Sequence, residues 1–264
     1  MKVFAFLCLF LLAMGGTANA QIKIGGKKIN TKNLINAGSD AAKAITLSDA
    51  DIAAISREYM EWMDTHNPVA PEDSELGQRL AKITSGLKNT DGLDLNFKVY
   101  EVIDVNAFAC GDGSVRVCAG LMEIMDDDEV LAVIGHEIGH VRNTDTKDAM
   151  KSAYLRSAAR NAIGAAGGVA EKLTDSQLGE LAEALAGAQY SQKQESEADL
   201  HGFEFCIANG IDPYAMANSL NKLVELSKGE KASALQKTFS THPDTEKRAA
   251  IMKEKADEYM KSHQ

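Results

Sequence analysis

The stretch His136-Glu137-Ile138-Gly139-His140 places two histidines four residues apart. On an α-helix, positions i and i+4 differ by about 40° around the axis and about 6 Å along it, so both imidazoles can reach one metal ion. Glu137 follows the first histidine, where its carboxylate can take a proton from a water on that ion. The spacing predicts a helical metal site, although so short a pattern also occurs by chance. Gly139 is unusual inside a helix, and close approach by another backbone would explain it.

A catalytic zinc site needs a third protein ligand and an open position for water. The best downstream donors lie in the cluster Glu195-Ser196-Glu197-Ala198-Asp199. Glu195 and Asp199 are four residues apart, which suits one metal ligand and one carboxylate that accepts a hydrogen bond from a histidine ligand. We therefore expect Glu195 on the metal and Asp199 behind His136 or His140. The alternative is a solvated acidic helix face.

The two motifs together resemble zinc metallopeptidase family 48, the gluzincin family that includes HtpX and the CAAX prenyl proteases. Its signature is HExxH followed by ExxAD, which here are HEIGH and ESEAD. The resemblance extends over about residues 75 to 255 and is strongest to the soluble periplasmic bacterial branch. Further similar blocks are Asn106-Ala107-Phe108-Ala109, Gly120-Leu121, Gly210-Ile211-Asp212-Pro213, and Ser240-Thr241-His242-Pro243 with Arg248.

The resemblance implies a metalloendopeptidase. His136, His140 and Glu195 would hold one zinc ion per chain, and Glu137 would be the catalytic base. Two imidazoles and one carboxylate in an open site also favour zinc by ligand type. The expected substrates are polypeptides, namely unfolded, damaged or misassembled cell-envelope proteins, and association with envelope protein complexes is a further expectation. The alternative function is a zinc-bound periplasmic chaperone or assembly factor whose active site is normally blocked.

Two other segments are candidates for control of the site. His242 lies at a predicted loop end and Arg248 in the helix that follows, and both are candidate catalytic residues. His242 could stabilise an oxyanion or become a temporary fourth zinc ligand, and the alternative is a histidine that caps the next helix. The Ala/Gly-rich run 157–170 is either a lid over the cleft or a helix-loop-helix spacer.

The N-terminus has the three parts of a secretory signal peptide. Met1-Lys2 is basic, residues 3–14 are apolar, and Ala18-Asn19-Ala20 matches a cleavage site. Cys8 lies inside the apolar run, upstream of the cleavage site, which disfavours a lipoprotein anchor. No later run of 18 apolar residues exists, so we expect no integral membrane segment after cleavage and a periplasmic location.

Composition and charge restrict the partners. The formal net charge is −10, from 28 basic and 38 acidic residues, which disfavours nucleic acid and anionic lipid surfaces. Residues 21–44 are rich in Gly, Asn and Lys and are predicted to be a loosely ordered lead. Residues 45–264 are predicted to form a single zinc metallopeptidase domain.

The predicted fold class is α+β and mainly helical, a zincin-like domain with a small antiparallel sheet and a central HExxH helix. Alternation of apolar and polar residues in 93–103 and 115–118 predicts the strands, and a substrate could add to their edge. The acids at 126–129 are expected to cap the HExxH helix.

Three cysteines follow the predicted signal peptide. Cys110 and Cys118 either form a disulfide across a wide loop or are buried small hydrophobic residues. A tight Asp-Gly turn would pair Cys110 with Val115 instead. Cys206 is expected in the core, because a fourth zinc ligand would close the site.

Overall fold

The computed structural model describes residues 21–24, 27–30, 47–87, 90, 92–161, 173–228 and 242–263. Among them, no helix is long and apolar enough to span a membrane. The predicted signal peptide, residues 1–20, lies outside the described residues, as does most of the predicted lid, residues 162–170. The elements in chain order are β1 (Gln21–Ile24), β2 (Lys27–Asn30), α1 (Asp49–His66), α2 (Glu75–Thr84), β3 (Asn96–Tyr100), β4 (Ala107–Ala109), β5 (Ser114–Cys118), α3 (Ala119–Ile124), α4 (Asp127–Arg142), α5 (Asp145–Asn161), α6 (Asp175–Ala186), α7 (Gln192–Ala208), α8 (Ala215–Ser227) and α9 (Thr245–Ser262).

The fold class is α+β and mainly helical, as predicted, but the three-stranded sheet is mixed rather than antiparallel. Its strand order is β3-β5-β4. β5 runs parallel to β3, with Phe97 opposite Val115, and antiparallel to β4, with Ala107 opposite Val117. All five residues of β5 are buried, and a buried strand needs hydrogen-bond partners on both edges. The prediction of an antiparallel sheet was wrong because β4, which was not predicted as a strand, lies between β3 and β5 in the chain and is the antiparallel partner of β5.

The loosely ordered lead predicted for residues 21–44 contains a regular hairpin. β1 and β2 pair antiparallel, with Gln21 opposite Asn30 and Ile24 opposite Lys27. The sequence between them is Gly25-Gly26, a dipeptide typical of two-residue hairpin connections. The rest of the predicted lead, residues 31–44, lies outside the described part of the chain.

The buried thiols settle the alternatives for the cysteines. Within the described residues Cys110, Cys118 and Cys206 are all buried, and none is in a disulfide. The amide of Cys110 donates to the carbonyl of Ser114 at 2.8 Å, so the β4–β5 turn is one residue shorter than the predicted Cys110–Val115 pairing. The three residues behave as small hydrophobic side chains of the core.

Two hydrophobic clusters lie on opposite sides of β4. Ala107 and Ala109 belong to the cluster that contains the sheet and residues of α4, α7, α8 and α9. Cys110 belongs to the second cluster, built from α1, α5 and α6, and Phe108 packs against it. Successive side chains of a strand point to opposite faces, so β4 separates the two clusters.

A charge pair between a buried arginine and a half-buried aspartate joins α1 to the sheet. Arg116 on β5 donates from Nε and Nη2 to the two carboxylate oxygens of Asp64, at 2.8 and 2.9 Å. Burial alone raises the pKa of Asp64, but the hydrogen bonds from Arg116, Lys98 and Tyr100 outweigh it and lower the pKa to about 2. The pair therefore remains charged at neutral pH.

Helix α4 begins with the predicted cap. The Asp126 side chain accepts from the amide of Glu129, and the Glu129 side chain accepts from the amide of Asp126, both at 2.9 Å. This reciprocal capping box satisfies two amides at the helix start. The acids at 126–129 thus cap the helix, as the sequence predicts.

Helices α4 and α7 pack against each other at glycines. A Cβ atom on Gly139 would lie 2.9 Å from Cβ of His201 and 3.1 Å from Cα of Ala198. On α7, a Cβ atom on Gly202 would lie 3.1 Å from the carbonyl oxygen of Ala132. The close approach of another backbone, which the sequence suggested for Gly139, is therefore present.

Replacing Gly139 with alanine is expected to lower the free energy of unfolding by about 1–2 kcal/mol, because the overpacking outweighs the gain in helix propensity. Denaturant unfolding measures the change. Gly179→Ala on α6 is the matched control, since its new methyl would meet only Trp62, at 3.9 Å. The control should be neutral or stabilising by up to about 1 kcal/mol. Equal stabilisation by both substitutions would contradict the packing argument.

Candidate metal centre

Three donors from two helices converge in the buried interior. His136 and His140 lie on α4, and their Nε2 atoms are 3.1 Å apart. Glu195 on α7 has Oε1 at 3.4 Å from Nε2 of His140 and Oε2 at 3.9 Å from Nε2 of His136. All three side chains are at most 5% exposed. The structure thus brings together the three residues that the sequence proposes as ligands.

A carboxylate holds the other ring nitrogen of each histidine. Oδ1 of Asp199 lies 2.9 Å from Nδ1 of His136, which is one of the two contacts expected from the sequence. Oδ2 of Asp145 lies 2.9 Å from Nδ1 of His140. A carboxylate on Nδ1 fixes the ring and leaves the Nε2 lone pair for a metal. Both Nε2 atoms therefore face Glu195.

Sequence reasoning missed Asp145. It comes five residues after His140, at the start of the next helix, and its second oxygen accepts a hydrogen bond from Nε2 of Gln194 at 2.7 Å. The sequence feature that could have indicated Asp145 is an acidic residue shortly after the HExxH motif. Its contact with His140 was not predicted because the path of the chain between α4 and α5 is not evident from the sequence.

The donor set fits a divalent metal ion. One ligand atom from each of His136, His140, Glu195 and His242 can be chosen so that all lie within 4.8 Å of one another. Burial lowers the pKa of His136, which favours the neutral imidazole that a metal ligand must be. Burial also tends to lower the pKa of His140, but hydrogen bonds with Asp145 and Glu195 raise it to about 9. A proton or a cation is thus favoured at this position.

Glu137 and His242 stand at the side of the cluster that faces the cleft. Nδ1 of His242 lies 3.0 Å from Oε1 and 3.2 Å from Oε2 of Glu195. Its Nε2 lies 3.9 Å from Oε1 of Glu137. The predicted loop histidine is therefore inside the site, between the third ligand candidate and the base candidate.

Arg248, at the start of α9, contacts the carboxylates of the cluster. Its Nε and Nη2 donate to the two oxygens of Asp199 at 2.7 and 2.6 Å, and its Nη1 contacts Oε2 of Glu195. The side chain is 6% exposed. The sequence grouped Arg248 with His242 as a catalytic candidate, but these contacts place it behind the candidate ligands.

Tyr190 and His201 are weaker candidates by sequence, for which packing or exposure is the default expectation, and the structure shows the contacts of both. The Tyr190 ring stacks on the His140 imidazole, with centroids 4.0 Å apart and planes 18° apart. Nδ1 of His201 on α7 lies 2.8 Å from the carbonyl oxygen of Gly135 on α4, so His201 joins the two helices. Neither residue belongs to a motif, so only the folded chain reveals these contacts.

An apolar cleft leads to the cluster. Its volume is about 370 Å³, and it lies between β4 and helices α1, α5 and α6. Glu137 and His242 line its inner end, together with Tyr190. The remaining wall is rich in aromatic and aliphatic side chains, among them Tyr59, Tyr100, Phe108, Met150 and Leu185. Such a cleft can hold apolar groups beside a reactive centre.

Comparisons with known proteins give one consistent family. The sequence profile of peptidase family M48 matches residues 70–256. The chain is 39% identical over 237 residues to "Metalloprotease LoiP" of Escherichia coli (strain K12), which covers 89% of this chain and 92% of that protein. It is 42% identical over 228 residues to "Metalloprotease YcaL" of the same organism, covering 86% and 88%. It is also 31% identical over 193 residues to the "Beta-barrel assembly-enhancing protease" of that organism, covering 70% of this chain and 38% of that protein.

We expect one zinc ion to bind to each chain and to raise the melting temperature of the protein. At a free zinc concentration 100 times Kd, the stabilisation would be about 2.7 kcal/mol. Titration calorimetry and thermal unfolding, with and without a chelator, measure the two effects. His136→Ala should remove both, whereas His263→Ala, at an exposed histidine after α9, should keep both. Equal zinc binding by the two variants would rule out this cluster.

Proposed function

Since this chain belongs to peptidase family M48 and is a metalloprotease, we propose that it is a zinc-dependent endopeptidase for unfolded, damaged or misassembled cell-envelope proteins. The convergence of His136, His140 and Glu195 beside Glu137 carries the proposal. Three protein ligands and an adjacent carboxylate are what peptide hydrolysis by a zinc enzyme needs.

Each residue has a defined task in this reaction. His136, His140 and Glu195 would hold the zinc ion, which would supply Lewis acidity for the peptide carbonyl and for an attacking water. Glu137 is placed to accept a proton from the attacking water on its carboxylate and to deliver it to the leaving amine. Asp199 keeps the His136 ring oriented through Nδ1. Proton transfer thus depends on Glu137, and ligand geometry on the carboxylates behind the rings.

The edge of the sheet supports a polypeptide substrate. Within the described residues, β4 pairs with β5 on one side only, and residues 106–111 line the cleft together with Glu137. An extended peptide that adds to β4 would be held by backbone hydrogen bonds, independent of its sequence. The sequence suggested that a substrate adds to an edge of this sheet, and β4, the edge that supports the proposal, lies between the two segments in which strands were predicted.

The apolar cleft supports unfolded substrates in particular. Large apolar side chains are buried in folded proteins and become accessible on unfolding. Tyr59, Tyr100 and Phe108 offer them an apolar wall beside Glu137. Selection of misfolded chains would then require only that an apolar side chain near the scissile bond be exposed.

The proposed location is the periplasm. It is supported by the basic start, the apolar residues 3–14 and Ala18-Asn19-Ala20. The name of one relative refers to β-barrel assembly, and on that basis we extend the proposal to association with envelope protein complexes.

The position of His242 favours a second candidate function. It contacts Glu195 and belongs to the same group of potential ligands as His136 and His140. A fourth protein ligand would occupy the position that water needs and silence the enzyme. A chain in this closed state would act by binding, as a zinc-bound chaperone or assembly factor.

Replacing Glu137 with glutamine is expected to reduce hydrolysis of an unfolded protein such as casein by about 100- to 10,000-fold, because the proton acceptor is lost. Product formation is followed by gel and mass spectrometry. Glu197→Gln is the matched control, since Glu197 is an exposed carboxylate on the same helix as Glu195, and it should retain activity. Loss of activity on chelation is expected as well. Absence of cleavage under every condition would favour the binding function.

Replacing His242 with alanine is expected to increase the hydrolysis rate, because its imidazole lies between Glu137 and Glu195. Initial rates of casein cleavage at equal zinc content test this, with His263→Ala as the control. A strong decrease would instead assign His242 to oxyanion stabilisation. An unchanged rate would remove it from the site.

A further inference from the structure

One guanidinium group contacts two of the buried carboxylates at the candidate metal centre. Arg248 uses Nε and Nη2 for both oxygens of Asp199 and Nη1 for Oε2 of Glu195. A planar guanidinium holds its donors in a rigid fork, so these contacts fix the two carboxylates relative to each other. Asp199 and Glu195 are one helical turn apart on α7, and Arg248 reaches them from α9.

The two oxygens of Glu195 are therefore not equivalent. Oε2 contacts the positive charge of Arg248, whereas Oε1 faces imidazoles, at 3.4 Å from Nε2 of His140 and 3.0 Å from Nδ1 of His242. A divalent cation is repelled by a guanidinium at the same oxygen, because like charges in a buried site are poorly screened. Oε1 is thus the oxygen that is available to an ion near the imidazoles.

The same guanidinium also acts on His136. Nη2 of Arg248 donates to Oδ1 of Asp199, and that oxygen lies 2.9 Å from Nδ1 of His136. The carboxylate that contacts Nδ1 of His140 belongs to Asp145, and it accepts a hydrogen bond from the neutral amide of Gln194. Among the described residues, a charged group from α9 thus contacts the carboxylate behind His136 but not the one behind His140.

We propose that Arg248 is a positioning residue that makes Glu195 present a single carboxylate oxygen to the metal and so keeps one coordination position open for water. This proposal rests on the zinc-dependent function proposed above. Without the fork, both oxygens of Glu195 would be able to bind the ion together with a water, and the coordination number of the ion would rise. If Arg248 served only to neutralise the negative charge of the two carboxylates, a lysine at position 248 would serve equally well.

The visible spectrum of the cobalt-loaded protein tests the proposal without relying on activity. Co²⁺ binds sites of nitrogen and oxygen ligands, and its visible absorption weakens as its coordination number rises. Arg248→Lys keeps the positive charge but removes the fork. We expect this variant to show a weaker cobalt band and a zinc affinity reduced by about 10- to 100-fold.

Arg116→Lys is the matched control. Arg116 is also buried and also grips a carboxylate, Asp64, through Nε and Nη2, but it joins α1 to the sheet. Its replacement should lower the melting temperature and leave the cobalt spectrum unchanged. The full-length chain is used for every measurement, and Arg248→Gln serves as a second variant that also removes the charge.

The outcomes separate the two proposals. A wild-type cobalt spectrum and zinc affinity in Arg248→Lys would overturn the positioning role while the metal site stands. A change in the cobalt spectrum of Arg116→Lys equal to that of Arg248→Lys would also overturn it, because the effect would then follow from destabilisation. Failure of the wild-type chain to bind either Co²⁺ or Zn²⁺ would overturn the proposed function itself, together with the premise for Arg248.

Discussion

The close contact between helices α4 and α7 is the constraint on which the metal centre depends. Gly139 and Gly202 remove the side chains that would otherwise separate the two backbones. A carboxylate has a short reach, so Glu195 can approach the imidazoles of α4 only if the helices are this close. His201 adds a hydrogen bond to the carbonyl of Gly135 at the same contact. The glycines are therefore as much a part of the site as the donors that they bring together.

Charge balance is the second requirement of this interior. Glu137, Asp145, Glu195 and Asp199 are all buried, and unpaired buried carboxylates are very unfavourable. Arg248 supplies one positive charge, and a proton on His140 or a divalent cation offsets part of the remainder. Because a protein binds metal with deprotonated ligands, metal uptake, proton release and folding are coupled in such a cluster. The negative charge of these four carboxylates is thus the reason why the site favours a cation.

The sequence predicts the metal centre more completely than it predicts the fold around it. HEIGH and ESEAD carry helical spacing, which depends only on local geometry, so the convergence of their side chains could be foreseen. The parallel pairing of β3 with β5 follows from β4, which lies between them in the chain and is the antiparallel partner of β5, and three residues are too short a pattern to predict a strand. Asp145 and Tyr190 reach His140 from a helix start and from the residues before α7. Their roles follow from the path of the chain, which a motif does not describe.

The two hydrophobic clusters on opposite faces of β4 give the cleft a mechanical property. Each cluster has its own set of buried side chains, so the layer of α1, α5 and α6 can tilt against the rest with little loss of packing inside either cluster. The Asp64–Arg116 pair, the contacts of Asp145 with His140 and Gln194, and the α4–α5 junction connect the two layers. A bulky chain could then be admitted by widening the cleft, at a free energy well below that of global unfolding.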